Sequence, residues 1–254
     1  MRRRTFGALI GTLVIGGGAL AAWDAGAAAG VAPYVTAAVA DSARPKADTD
    51  RDADRKPAEM LAFAGVKPGS KMAEILPGGG YFTRIFSKAV GPQGHVFAII
   101  NPPADPSKPP PIVAIAADTA YANVTIVSQP LTSFSVPEPV DIVWTSQNYH
   151  DLHLKRYNLD ISAVNKDVFN ALKPGGVYVV LDHSALPGEP IDAADRYHRI
   201  DPAIVRKEVE AAGFVFVGED DTLRNSNDPK NVPVFDPSIR GHTDQFIYKF
   251  RKPG

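Results

Sequence analysis

The chain has 254 residues, no cysteine and a formal net charge of −1 at pH 7. Without cysteine there is no disulfide bridge, thiolate metal ligand or cysteine nucleophile, so the fold depends on its apolar core. The sequence has no basic stripe interleaved with aromatic residues, which excludes the usual nucleic-acid-binding surface, and we expect no nucleic acid partner.

The first forty residues differ in composition from the rest. Three arginines at positions 2–4 precede an uncharged apolar stretch, residues 6–22, and the small residues 38–40 precede Asp41. This order predicts a secretory signal peptide over residues 1–40, and therefore an exported, periplasmic protein whose mature chain begins at Asp41. The arginines also loosely match a twin-arginine signal. The alternative is an uncleaved inner-membrane anchor facing the periplasm, although the apolar stretch is short for a span. We expect no other membrane contact.

Residues 41–54 are charged and alanine-rich and lack an apolar period, which predicts a linker. The remaining residues, 55–254, are enough for one sizeable domain. Asp54 as N-cap and Pro57 in the first turn predict a helix that ends at Gly65.

Short apolar runs bounded by glycine, proline or polar residues predict strands, and amphipathic runs between them predict helices. The predicted strands cover residues 71–76, 95–100, 124–127, 141–145, 177–181, 214–218 and 245–250. The later predicted helices cover residues 82–90, 112–121, 156–172 and 204–212. This alternation predicts an α/β fold: a doubly wound, Rossmann-like, mostly parallel sheet with an antiparallel last strand.

Three consecutive glycines, Gly78, Gly79 and Gly80, follow the first strand, which carries a single acid, Glu74. Glycines allow the backbone a positive φ and a close approach to a ligand, and the next helix offers unpaired N–H groups at its N-terminus. The sixth position of a dinucleotide fingerprint would be Thr83, which disfavours a nicotinamide dehydrogenase. A purely structural turn is the alternative.

Most of the histidines belong to segments that we assign to one edge of the sheet. In an open α/β sheet, ligands bind outside the carboxyl ends of the strands. Five of the six histidines fall in loops that start at that edge, and His95 does not. The five are His150, His153, His183, His198 and His242.

Such a cluster has three uses. As a general base, His150, Asp151 or His183 would take a proton from a nucleophile, and this is our prediction for the catalytic group. As a metal site, His150, Asp151 and His153 together with His183 would supply nitrogen and oxygen ligands for zinc or another divalent ion. As structural groups, the histidines would hydrogen-bond carboxylates and carbonyls of the rim loops. Our predicted site includes no metal ligand.

The acid, the glycine turn and a later Leu-Lys-Pro-Gly-Gly run at residues 172–176 together resemble class I S-adenosylmethionine-dependent methyltransferases. More narrowly, the chain is similar to the exported bacterial "predicted methyltransferase" group from about Asp50 onward. It is most similar over residues 74–80, 140–150 and 172–182. The resemblance implies a Rossmann-like fold, S-adenosyl-L-methionine as cofactor and methyl transfer to a small-molecule acceptor.

The resemblance also implies residue roles. Glu74 would contact the amino-acid part of the cofactor, and Gly78–Gly80 would pass beneath it. Asn101 would contact the cofactor at the end of the second strand. Asn148, which we include in the cofactor set, and Tyr149 would line the junction between donor and acceptor.

The chain departs from the family pattern at three positions. Leu76 stands where the first glycine of the motif is usual. Asn101 ends the second strand, where an acid usually grips the ribose, and Gln129 follows the third strand, where an acid often reads the adenine amine. Asn101 or Gln129 could bind the same groups as neutral partners. These departures suggest the alternative of an exported Rossmann-like binding protein with a degenerate cofactor site. A metal-dependent hydrolase-like site on the rim histidines is a second alternative.

The long connection 220–242 is predicted to form a lid over the ligand edge, since loops of this length are usually functional or disordered. Its Arg224 and Arg240 could reach an anionic group. We expect replacement of residues 227–238 by a short Gly-Ser linker to abolish ligand binding and to leave most of the stability.

Overall fold

The computed structural model describes residues 31–254, so the arginines and the apolar stretch of the predicted signal, residues 2–22, lie outside the described residues. Within residues 31–254, none of the helices combines the length and the hydrophobicity needed to span a bilayer.

Seven strands in this part of the chain form one sheet. They are β1 (Lys71–Ile75), β2 (His95–Ile100), β3 (Val124–Ser128), β4 (Val140–Ser146), β5 (Leu172–His183), β6 (Val215–Asp220) and β7 (Gln245–Arg251). Their order across the sheet is β3-β2-β1-β4-β5-β7-β6. Strands β1 to β5 are parallel, and β7 is antiparallel to both β5 and β6. This confirms the predicted doubly wound, mostly parallel sheet.

Helices cover both faces of the sheet. They are α1 (Pro33–Val39), α2 (Lys46–Thr49), α3 (Asp52–Arg55), α4 (Pro57–Ala64), α5 (Tyr81–Val90), α6 (Ile112–Ala116), α7 (Ile161–Ala171), α8 (Ala193–Tyr197) and α9 (Pro202–Ala211). One apolar core gathers α1, α4 and α5 around Trp144, and the other gathers α7 and α9 around Tyr178. Each large apolar side chain buried in this way contributes about 1.5–3 kcal/mol.

The order of the strands reverses at β1, because β2 and β3 follow on one side of it and β4 and β5 on the other. This strand pairs with β2 on one side and with β4 on the other, in parallel on both. Loops that leave the carboxyl ends of β1 and β4 therefore diverge and open a crevice, the usual ligand position in such sheets. The crevice lies between Leu76, which directly follows β1, and Ser146, which ends β4.

Several predicted boundaries differ from the structure, and two of them have a clear physical reason. Helix α7 begins later than predicted, at Ile161, because the side chain of Asp160 accepts a hydrogen bond at its N-terminus and caps it there. Strand β5 begins earlier than predicted, at Leu172, because the backbone of residues 175–176 exchanges hydrogen bonds with Lys252 and extends the ladder.

Residues 41–54 are folded, which corrects the prediction of a linker. Helices α2 and α3 occupy the segment, and polar contacts attach it to α5. Asp48 accepts a hydrogen bond from Arg84 (2.7 Å), and Asp52 accepts one from the Tyr81 hydroxyl (2.6 Å). The composition of the segment misled the prediction, because the segment is held by ion pairs and hydrogen bonds rather than by an apolar stripe.

Helix α1 lies within the predicted signal peptide, residues 1–40, and packs against the domain. Val35 is 1% exposed and Ala38 is 2% exposed, and both belong to the core shared by α4 and α5. The predicted cleavage residues, 38–40, therefore lie at the end of a helix whose inner face is buried.

The connection between β6 and β7 supplies one partner of a buried ion pair, Asp228. Both terminal nitrogens of Arg199 donate to the carboxylate of Asp228 (2.7 and 3.0 Å), and both side chains are 0% exposed. Replacement of residues 227–238 would remove Asp228 and leave Arg199 buried without its carboxylate, so the structure favours a loss of stability over the predicted preservation.

Asp228→Ala should lower the free energy of unfolding by about 3–5 kcal/mol, because it leaves the Arg199 charge buried without a partner. Urea unfolding followed by circular dichroism measures the loss. Asn227→Ala is the control, since Asn227 is the exposed neighbour on the same loop. Equal unfolding midpoints for the two variants would contradict the prediction.

Candidate functional site

Two adjoining cavities lie at the crevice between β1 and β4. The polar cavity, of about 220 Å³, is lined by Asp48, Arg51, Arg55, Glu74 and Ser146 among others. The apolar cavity, of about 440 Å³, is lined by Ile100, Asn101, Ile112, Leu131, Tyr157 and Leu159 among others. Four residues line both cavities and form the boundary between them: Leu76, Pro77, Gly78 and Asn148.

The turn after β1 has the left-handed backbone that a glycine-rich turn requires. φ is +52° at Leu76, +57° at Gly78 and +75° at Gly80. Leu76 therefore has a conformation that suits glycine, at a cost of about 1–2 kcal/mol for a residue with a Cβ. Gly78 and Gly79 line the polar cavity, but Gly80 lines neither cavity. A Cβ at Gly80 would lie 2.2 Å from Cδ1 of Ile115, so this glycine permits close helix packing.

Glu74 is the single carboxylate on β1, and it lies at the bottom of the polar cavity. Its side chain is 4% exposed and accepts a hydrogen bond from the Thr83 hydroxyl. Burial raises the pKa of Glu74 to about 7, against the opposing effects of the Thr83 hydrogen bond and the Arg55 charge. A cationic ligand would favour the ionised form of this carboxylate.

Two arginines of the N-terminal segment, Arg51 and Arg55, face Glu74 across the polar cavity. The Arg55 guanidinium lies 4.3 Å from the ring centre of Tyr81 and donates to the Ser146 hydroxyl (3.1 Å). Burial lowers the pKa of Arg55 to about 10. Within residues 31–254, neither arginine has a carboxylate at ion-pair distance, so both can bind an anion. Sequence reasoning missed Arg51 because residues 41–54 were interpreted as a linker, and it missed Arg55 because no motif marks this residue at the start of the predicted domain.

The predicted cofactor residues Asn148 and Asn101 both line the cavities. Asn148 Nδ2 donates to the carbonyls of Leu76 (2.8 Å) and Ser146 (2.7 Å), and so joins the ends of β1 and β4. Asn101 lines the apolar cavity, and its Oδ1 accepts a hydrogen bond from the Leu131 amide (3.2 Å). Gln129 lines neither cavity.

His150 lies beside the cavities in a buried network with Asp182. Its Nδ1 lies 2.8 Å from Asp182 Oδ1, and its backbone N–H donates to Asp182 Oδ2 (2.7 Å). Burial lowers the pKa of His150, but the charge and hydrogen bond of Asp182 outweigh burial and raise it above the ordinary value. Asp182 is 0% exposed and its pKa is lowered, since burial is outweighed by His150.

The other predicted rim groups do not all meet. His183 is buried against the Thr243 hydroxyl (2.7 Å), and burial lowers its pKa to about 3, so it is a very weak base. His153 lies 3.0 Å from Glu208 on α9, away from His150. Tyr149 is 0% exposed and belongs to the core, so it does not line the junction.

His198 joins His150 instead. Its Nδ1 lies 3.3 Å from His150 Nε2, and Asp151 Oδ1 lies 3.4 Å from His150 Nε2 and 3.6 Å from His198 Nδ1. We call these three residues the histidine corner. Asp151 also lines the apolar cavity, which places the corner at its wall. The sequence put His198 at the rim, but its contact with His150 depends on the loop after β5.

The predicted lid, residues 220–242, lies on the side of the histidine corner. Phe235 stacks edge-on against His198 with ring centres 4.8 Å apart, and His242 Nδ1 lies 3.6 Å from Asp54. None of the residues of this connection lines the polar or the apolar cavity.

Solved structures with a similar fold include S-adenosylmethionine-dependent methyltransferases. An enzyme of this type from Aquifex aeolicus matches at a TM-score of 0.56 and 16% identity, over 81% of this chain and 95% of that chain. One from Mesorhizobium loti matches at a TM-score of 0.55 and 15% identity, over 79% of this chain and 99% of that chain. An arsenic(III) S-adenosylmethionine methyltransferase from Chlamydomonas reinhardtii matches at a TM-score of 0.54 and 16% identity, over 87% of this chain and 74% of that chain.

At these identities the similarity establishes the fold, which is the Rossmann-like fold of class I methyltransferases. No protein-family model matches the chain, and a search of curated proteins gives no match. The function must therefore be argued from the site.

Proposed function

We propose that this protein is an S-adenosylmethionine-dependent methyltransferase that acts on a small acceptor. The observation that carries the proposal is the pair of adjoining cavities of opposite character at the switch point of the sheet. S-adenosylmethionine supplies an electrophilic methyl group on a sulfonium that joins an amino-acid part to an adenosine part. A ligand with one charged end and one flat, largely apolar end matches this pair of cavities.

The polar cavity suits the amino-acid part. Arg51 and Arg55 can pair with its carboxylate, and charge-assisted hydrogen bonds of this type are the strong ones. Glu74 lies in the same cavity and can attract the ammonium and sulfonium charges. Tyr81 and its partner Asp52 hold the Arg55 side of the cavity in place, since Tyr81 donates to Asp52 and its ring carries the guanidinium.

The apolar cavity suits the adenosine part. Its volume lies in the range typical of small-molecule pockets. Ile100, Leu131 and Leu159 provide apolar contacts for a planar base, and Asn101 provides a neutral polar group where an acid is more usual in the family. Loss of that charge predicts weaker ribose binding than a carboxylate would give.

The acceptor would lose its proton at the histidine corner. Asp151 lines the apolar cavity and His150 lies directly behind it, so these two predicted catalytic residues keep their place in the proposal. His183 does not, because a histidine that is buried against Thr243 with a pKa of about 3 is unsuited to proton transfer near neutral pH.

We also propose an exported, periplasmic location. The arginines and the apolar stretch within residues 2–22 support it, as does the resemblance to an exported bacterial group. S-adenosylmethionine is a cytoplasmic metabolite, and twin-arginine export of a folded, loaded protein would reconcile the compartment with the cofactor.

Calorimetric titration with S-adenosylmethionine and with its demethylated product tests the proposal. Arg55→Met should weaken binding about 10- to 100-fold, since a hydrogen bond to a charged group contributes roughly 1.5–3 kcal/mol. Lys207→Met removes a positive charge from an exposed position on α9 and should bind as the parent does.

The absence of any heat at near-millimolar ligand, with the parent protein shown to be folded, would end the proposal. That result would favour the alternative of a Rossmann-like binding protein with a degenerate cofactor site. Binding that Arg55→Met leaves unchanged would show instead that the ligand carboxylate lies elsewhere.

A further inference from the structure

The histidine corner has the dimensions of a metal site. Its three ligand atoms, Nε2 of His150, Nδ1 of His198 and Oδ1 of Asp151, form a nearly equilateral triangle with sides of 3.3, 3.4 and 3.6 Å. Zinc binds nitrogen and oxygen at about 2.0–2.2 Å in tetrahedral geometry, and ligands at those distances lie about 3.4 Å apart. Within residues 31–254 these three residues form the group that satisfies such spacing.

The buried member of the set is oriented in the way that metal-binding histidines usually are. Nδ1 of His150 contacts Asp182, a fully buried carboxylate, so Nδ1 keeps the proton and Nε2 faces the other two ligands. Metal-bound histidines commonly donate their second ring N–H to a carboxylate in this way. The arrangement therefore includes the outer partner as well as the three ligand atoms.

The third ligand is placed by a constrained backbone. His198 follows α8 with a φ of +53°, a left-handed conformation that is uncommon for a residue with a Cβ. Strain of this kind is concentrated at functional sites. Here it turns the imidazole of His198 toward His150, and Phe235 packs against the ring.

We infer that the histidine corner binds a divalent first-row transition ion such as Zn²⁺ through His150, Asp151 and His198. Two imidazoles and one carboxylate suit these ions better than Mg²⁺ or Ca²⁺, which prefer oxygen ligands. Three protein ligands leave a coordination position free for water or substrate, as in catalytic rather than structural zinc sites. Since Asp151 also lines the apolar cavity, the free position is reachable from there.

The ion would give the corner a defined task in methyl transfer, an extension that rests on the proposed function. In place of proton transfer to His150 or Asp151, which would be ligands, a hydroxyl or thiol bound to the ion would lose its proton to water more easily, because the positive charge stabilises the anion. That anion would form its bond to the methyl carbon while the bond from this carbon to the sulfonium sulfur breaks, and the demethylated product would leave. The acceptor class is then a small molecule with an oxygen or sulfur nucleophile that can reach Asp151 through the apolar cavity.

Metal binding is tested without any methyl donor, so failure here is separate from failure of the donor titration. Protein freed of metal with a chelator is titrated with Zn²⁺ by calorimetry and with Co²⁺ by visible absorption. We expect one equivalent of each ion, with the visible bands of low-coordinate Co²⁺. His198→Ala and Asp151→Asn should each weaken binding at least about 100-fold, more than the 10- to 100-fold typical of an outer partner.

His242→Ala is the matched control, since it removes an exposed histidine that lies outside the corner. Circular dichroism confirms that each protein is folded, and Asp151→Asn decides the matter if His198→Ala does not fold. Less than one equivalent of either ion in the folded parent overturns the assignment. It is also overturned if the corner variants bind as the parent does, or if His242→Ala loses binding equally.

Discussion

A chain that begins at Asp41 is expected to unfold with a free energy about 4–6 kcal/mol lower than a chain that begins at Val31. The shorter chain lacks α1, which buries Val35 and Ala38 against α4 and α5. Burial of a valine side chain contributes about 1.5–3 kcal/mol and burial of an alanine methyl about 0.8 kcal/mol, and the loss of α1 would also expose to water the core surface that it covers.

Urea unfolding of the two chains measures this difference. Thr36→Ala in the longer chain is the control, because Thr36 lies on the exposed side of α1 and should leave stability nearly unchanged. If the loss is found, a processed form that keeps the fold must begin before Pro33, and N-terminal sequencing of the exported protein would show it. Equal stability of the two chains would mean that α1 is dispensable and that cleavage before Asp41 costs nothing.

Glu74→Gln is expected to raise the free energy of unfolding by about 3 kcal/mol at pH 8 and by little at pH 4. The folded pKa of Glu74, about 7, lies above the ordinary value of 4.5. The folded state therefore holds a proton that the unfolded state releases, and the stability of the parent falls as the pH rises from 4.5 to 7. Each unit of pKa difference corresponds to about 1.36 kcal/mol, and glutamine has no proton to lose.

The same substitution should weaken binding of S-adenosylmethionine about 10- to 100-fold, because a cation in the polar cavity would lose its anionic partner. Stability is measured by urea unfolding at pH 4 and pH 8, and binding by calorimetry. Glu59→Gln, an exposed change on α4, should preserve the slope of the parent. A slope that persists in Glu74→Gln would assign the titration to another group.

The fold could be predicted because its signals are local. Strand β2 was predicted at its observed limits, because the apolar run between Gly94 and Asn101 is short for a buried helix. The end of α4 was predicted from its own residues, and Gly65 does have the left-handed φ of a C-terminal glycine. Its predicted N-cap, Asp54, is wrong, because the chain turns at Lys56 and Asp54 belongs to α3. The boundary of β5 was missed because its first residues pair with Lys252, far along the chain.

The site was less predictable because its parts are distant in sequence. Glu74 and the glycine turn lie side by side and were found together. Arg55 is positioned by its contacts with the Tyr81 ring and the Ser146 hydroxyl, and no periodic pattern in the sequence around Arg55 predicts those contacts. The rim histidines were placed at the correct edge, but which of them meet depends on the partners that fix each ring, Asp182 for His150 among them.

Arg84 joins the glycine turn to the N-terminal helices. Its guanidinium donates to the carbonyls of Gly79 (2.9 Å) and Gly80 (3.2 Å) and to the carboxylate of Asp48 (2.7 Å). Arg84 therefore couples the conformation of the glycine turn to the docking of the segment that carries Arg51 and Arg55. By reciprocity, the factor by which a bound ligand stabilises the docked segment equals the factor by which docking raises affinity. The dissociation constant of the ligand then depends in part on residues that hold the segment in place and do not contact the ligand.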